Sequence, residues 1–149
     1  MEVDAFLADS VQAAGGKLHG LGIGWRVLRA GGFPVRHDRI GIGIIVRTPP
    51  DAAGAHRLSL TLEGPGGNVV PFGTDPSGNP RATLDAPFTT PAGDGSATLA
   101  LNLDGLVFQT EGSYEFVLSV DGREQTRLPF RVQTAPEPPT AEYKTGVYL

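Results

Sequence analysis

Three histidines, His19, His37 and His56, are the side chains best suited to acid or base work near neutral pH, and they lie far apart in the chain. None forms a metal pair at the close spacing that a strand or helix offers, so surface or edge roles are expected for all three. The serines at 10, 59, 77, 96, 113 and 119 sit in no nucleophile-elbow sequence. Acidic residues are dispersed, and no particular pair stands out as the two carboxylates of a glycoside hydrolase. A hydrolase is therefore a minority reading, and no catalytic residue is assigned.

The run Gly20-Leu21-Gly22-Ile23-Gly24-Trp25 invites a phosphate-binding reading, because glycines let backbone approach a phosphate. A dinucleotide fingerprint needs a helix after its glycines, and a phosphate loop needs a lysine and a hydroxyl after its last one. Here the chain continues into Trp25-Arg26-Val27-Leu28, which reads as strand. Alternate glycines are expected instead to bare one sheet face for a bulky neighbour or a second backbone. The loop Asp75-Pro76-Ser77-Gly78-Asn79, with Asp85 and Asp94 as distant helpers, offers oxygens to calcium but lacks the regular ligand series that calcium loops use. These are also the residues that turns prefer, so neither a metal nor a cofactor is expected. Among the aromatics Trp25, Phe33, Phe72, Phe88 and Phe108, most are expected in the core; Trp25 and Phe33 are candidates for an interface or ligand contact.

The elements that position these residues read as strands. Ile40, Ile42, Ile44 and Val46 alternate with glycine, Ile45 and Arg47, and the same period of two recurs in Leu58 to Leu62, Leu99 to Leu103 and Tyr114 to Val120. Such segments bury one face and wet the other, as antiparallel sheets do. Asp121-Gly122 supplies the positive φ angles of a two-residue hairpin turn, leading into Leu128, Phe130 and Val132. Gly15-Gly16 predicts a second hairpin between Val3 to Val11 and Leu18 to Leu28, and the stretch from Gly73 to Arg81 is the expected long loop. About eight strands result, and the expected fold is an all-β antiparallel sandwich of immunoglobulin-like type. In Glu111-Gly112-Ser113-Tyr114, a glycine-led turn brings Tyr114 to the first inward position of its strand, the arrangement that starts a tyrosine corner.

At 149 residues the chain suits one domain that folds without disulfides or metals, and it has no cysteine. Its 21 glycines and 13 prolines are scattered, which means many turns. A net charge of −4 with dispersed lysine and arginine argues against nucleic acid as partner. The acidic start, Met1-Glu2-Val3-Asp4, does not resemble a secretory signal, and no apolar run has the length of a membrane span, so a cytoplasmic location is expected. The domain is expected over 1–133 and a tail over 134–149, in which Ala135-Pro136-Glu137-Pro138-Pro139 cannot join a sheet and Tyr143, Val147, Tyr148 and Leu149 form an apolar end.

The segment from Phe6-Leu7-Ala8-Asp9 through Gly16-Lys17-Leu18 to Gly22-Ile23-Gly24-Trp25, with His56-Arg57-Leu58 and Gly112 to Gly122 later, resembles a family of small uncharacterised bacterial proteins. The likeness implies a shared fold, supplies no catalytic residues to carry over and leaves the function open. The functional expectation is a non-enzymatic binding or assembly module that meets itself or another protein through sheet edges and the tail, with Tyr143, Val147, Tyr148 and Leu149 as anchors. The alternative is a sandwich that recognises a sugar or peptide through the loops from Gly73 to Thr90.

Overall fold

The structure is a computed structural model and describes residues 1–93 and 95–134. Strands β1 (Glu2–Ala8), β5 (Val35–Arg47) and β9 (Ser96–Phe108) form a three-stranded sheet in the order β1-β5-β9. The six-stranded sheet runs β4 (Val27–Ala30), β11 (Arg123–Thr134), β10 (Gly112–Val120), β6 (Gly54–Glu63), and β7 (Val69–Val70) and β8 (Leu84–Thr90) both pair with β6. The hairpin β2 (Ser10–Ala14) and β3 (Lys17–Leu21) stands apart as a two-stranded ribbon. All pairings are antiparallel except β4 with β11.

Alternation places the core where the pattern requires it. Ile40, Ile42, Ile44 and Val46 of β5 face Leu58, Leu60 and Leu62 of β6 and Phe116, Leu118 and Val120 of β10 in one buried cluster. Near one end of the sandwich this cluster becomes aromatic: Phe130 stacks on Tyr114 and Phe116, and Phe108 meets Tyr114 edge-on with centroids 4.9 Å apart. The Tyr114 hydroxyl donates to the Thr110 carbonyl at 2.6 Å, four residues upstream, which completes the tyrosine corner. With two packed sheets and this corner, the fold is an antiparallel sandwich of immunoglobulin-like type.

Among the described residues eleven strands form where about eight were expected, because the N-terminal third divides more finely than its alternation suggests. The expected hairpin from Val3 to Leu28 is shorter: only β2 and β3 pair across Gly15-Gly16, whose φ angles of 60° and 71° suit a tight hairpin turn. The preceding arm is a separate strand, β1, which pairs with β5 over Glu2 to Ala8. The following arm breaks after Leu21, and β4 crosses to the other sheet. The hairpin at Asp121-Gly122 forms as expected, with φ angles of 51° and 81°. At the C-terminal side, β11 continues through Thr134, which pairs with Ala30, one residue beyond the expected domain limit.

Glycines in β5 decide where the β2–β3 hairpin lies. Ile40, Ile42 and Ile44 point inward, so Gly41 and Gly43 point outward. A Cβ on Gly41 would sit 3.0 Å from the Ser10 backbone, and one on Gly43 would overlap the Phe6 ring. The hairpin and Phe6 therefore cover the outer face of β5, and the Asn102 side chain clamps β2 by accepting from Val11 N–H at 3.0 Å and donating to Val11 C=O at 2.9 Å.

Candidate functional site

Among the described residues no group of three or more histidine, aspartate or glutamate side chains is placed to hold a metal ion. His19 is exposed on β3, and His37 is half-buried on β5. His56 is engaged: its Nδ1 lies 2.6 Å from Asp121 Oδ2, its Nε2 lies 2.7 Å from the Ala52 carbonyl oxygen, and its ring stacks on Phe88. An ionised carboxylate and a carbonyl only accept, so the ring meets both with hydrogen bonds as the doubly protonated imidazolium. The bond to Asp121 holds the His56 pKa above the ordinary histidine range, against partial desolvation. In turn the His56 bond, followed by the Arg57 N–H, holds the Asp121 carboxyl below the ordinary carboxylate range. This arrangement fastens the start of β6 to the β10–β11 turn. It leaves the imidazolium no lone pair for a substrate.

Other candidate residues are likewise committed within the fold. Asp75 Oδ1 accepts from Ser77 N–H and Asn79 N–H, both at 2.9 Å, so the loop carboxylate closes its own turn. Asp85 accepts from the Ser59 hydroxyl, and Asp94 lies outside the described residues. The Gly20 to Trp25 run does not lie along one strand: β3 ends at Leu21, and Gly22 and Gly24 turn with φ angles of 63° and 89°. Gly24 N–H donates to Leu7 C=O and Asp9 N–H donates to Leu21 C=O, tying the turn to β1. Trp25 and Phe33 are half-buried and pack against the core, Trp25 edge-on to Phe130 at 5.6 Å. The tail anchors Tyr143, Val147, Tyr148 and Leu149 also lie outside the described residues.

An apolar cleft with room for a ligand was not singled out by sequence. At the Tyr114 end, a cleft of about 460 Å³ opens between β7, at the border of the larger sheet, and the end of β9, at the border of the smaller one. Its volume lies within the range of ligand pockets, roughly 300–1,000 Å³. Pro65, Val69, Val70, Pro71, Pro80 and Val107 give it an apolar lining, and Tyr114 forms part of its wall. Val69 and Val107 are 52% and 39% exposed and extend its apolar lining to the surface. A second hollow, about 480 Å³, adjoins the cleft through Gly64 and Tyr114 and is lined by Arg26, Ser113 and Arg131 among others. The β7 signal in sequence, Val69-Val70 between Asn68 and Pro71, is too short to read as a strand, which is why the cleft was missed.

The open edges of the two sheets differ. Strand β8 carries Pro87, which removes a donor from its ladder. Strand β9 has no proline over Ser96–Phe108 and, among the described residues, pairs on one side only, with β5.

No curated protein matches the sequence. Among solved structures, the chain is similar to an alkylpurine DNA glycosylase from Pseudomonas fluorescens bound to DNA with an abasic-site analogue, at 12% identity and a TM-score of 0.48, over 73% of this chain and 28% of that one. It is also similar to an immunoglobulin-like protein from Pseudomonas aeruginosa, at 12% identity and a TM-score of 0.45, over 89% of this chain and 95% of that one. A β-glucosidase from Kluyveromyces marxianus matches at 16% identity with a TM-score of 0.43, over 78% of this chain and 15% of that one. Similarities this weak carry no activity over to this chain. The model of a family of unknown function, DUF6941, matches residues 3–133, and the chain belongs to that family.

Proposed function

We propose that this domain is a non-enzymatic binding or assembly module that holds an extended apolar polypeptide segment in the cleft at its Tyr114 end. The observation that supports the reading is the cleft itself, an apolar cavity flanked by two exposed valines and bordered by a side of β9 that pairs with no other described strand. A segment laid along β9 gains backbone hydrogen bonds, and its alternate side chains enter the cavity. Convergent ionisable groups, which a hydrolase would need there, are absent from the cleft lining among the described residues.

Panning a random peptide library against the protein tests this reading. Enrichment of apolar peptides whose binding is lost in Val107→Asp is the expected result, and no enrichment overturns it. A mass above the monomer in light scattering, abolished by the same substitution, identifies the partner as a second copy.

The cleft also takes in Gly73, Thr74 and Pro80 from the long loop, which favours a second reading as a small-ligand site formed by that loop. A thermal-shift screen with glycans separates the two, because a ligand of the native state raises the melting temperature by mass action.

A further inference from the structure

We infer that the cleft is the seat of the chain's own C-terminal segment, with Tyr143, Val147, Tyr148 and Leu149 as the side chains that fill it. The inference rests on the cleft being a peptide site. Strand β11 ends at Thr134, and that end lies beside the start of β10, since Val132 pairs with Gly112. Thr110 and Tyr114, on either side of that start, both line the cleft. The tail therefore leaves the domain at the end where the cleft opens.

The reach is sufficient. In the order β11-β10-β6-β7, β7 lies three strand spacings from β11, roughly 15 Å at about 4.8 Å per spacing. Residues 135–142, Ala-Pro-Glu-Pro-Pro-Thr-Ala-Glu, have the composition of an extended spacer and span about 25 Å at roughly 3.1 Å per residue. The path is marked as well: the second hollow lies between the β4–β11 side and the cleft, sharing Gly64 and Tyr114 with it. Its Arg26 and Arg131 complement Glu137 and Glu142 of the spacer, while its own Glu63 and Glu115 are taken up by Arg127. Beyond the spacer the sequence turns apolar, as the cleft does.

A tethered segment has an effective concentration in the millimolar range when its linker matches the span, so the chain's own tail outcompetes a second copy's at micromolar protein. Partners of the proposed site must then displace it.

Hydrogen exchange on the full chain tests the inference. Amides of residues 143–149 should exchange about tenfold or more slowly than in the free peptide, to the same degree at low and high protein concentration. Val107→Asp, or Val69→Asp should the first variant fail to fold, should abolish the protection. Free-peptide rates in the wild type, protection that rises with concentration, or protection that survives both substitutions would each overturn it. Among the described residues, the eleven strands and the buried core all precede residue 135, so a chain ending at Thr134, its fold checked by circular dichroism, supplies the second arm. A library-selected peptide should bind that shortened chain about tenfold more tightly than the full chain. Equal affinity sinks the inference and leaves the peptide-site reading standing, whereas binding to neither chain removes both.

Discussion

At the Asp121 end of the sandwich, the polar groups of the turn are matched inside the fold: the Asp121 carboxylate holds His56 and the Arg57 N–H, and His56 holds the Ala52 carbonyl. At the Tyr114 end the interior is equally closed, with Phe108, Tyr114 and Phe130 in contact, yet just outside it two exposed valines flank an apolar cavity. The first end meets its polar groups with internal hydrogen bonds, and the second carries apolar surface outside the buried core. Folding free energy is a small difference between large terms, so this exposed apolar surface, outside the buried core, is the part of that end on which the proposed peptide site rests.

Substitutions can break this comparison. The largest effect is expected from Tyr114→Ala, which empties a buried aromatic site and should cost about 3–5 kcal/mol in urea denaturation. Tyr114→Phe keeps the ring but leaves the Thr110 carbonyl without its donor, and should cost about 1–3 kcal/mol. Equal losses for the two variants would mean that the ring contributes little and that the aromatic end is not the closed core described.

Next in size is the pH response of the Asp121 end. His56 has a raised folded-state pKa, so its contribution is complete below the unfolded value of about 6.5 and disappears as pH rises through the folded value. Asp121 has a lowered folded-state pKa, so its contribution is present above about 3.9 and is lost on acidification below that. The melting temperature should thus fall between pH 6 and pH 8, and His56→Gln should flatten that fall. An unchanged slope in the variant assigns the pH dependence elsewhere.

The smallest stability effect belongs to the exposed valines. Measured in the chain ending at Thr134, where no tail is released, Val69→Asp and Val107→Asp should each alter unfolding free energy by no more than about 0.5 kcal/mol while abolishing peptide binding. A large stability loss at either valine would make the Tyr114 end as structural as the other, and the contrast between the ends would fail.

Much of this fold can be read from the chain, because β5, β6, β10 and β11 alternate cleanly and Asp121-Gly122 fixes one register. Tyr114 is legible for the same reason: a turn residue pair precedes it and its hydroxyl has one carbonyl within reach. Close approach between backbones is harder to locate. Alternate glycines admit a neighbour at Gly20, where a Cβ would lie 2.8 Å from the Ile23 side chain, and at Gly41 and Gly43, where Ser10 and Phe6 lie, whereas Gly22 and Gly24 serve a turn. Nothing local distinguishes the two sets, since what fills the space over β5 comes from more than thirty residues away. The cleft escaped for a related reason. Its walls come from β7, the loop after it, the end of β9 and the turn into β10, each unremarkable alone and adjacent only once the two sheets have packed.

The Asn102 clamp has a practical corollary. One amide side chain reproduces, for Val11, the donor and acceptor of a neighbouring strand, so the β2–β3 ribbon is joined to the outer sheet face by a contact made at its base. Its tip, Gly15-Gly16, is exposed, and a Cβ at either glycine would touch nothing within 4 Å. Foreign loops grafted at that tip would project into solvent while Asn102 keeps the ribbon's base in register, making the hairpin a display arm for reporter tags or epitopes.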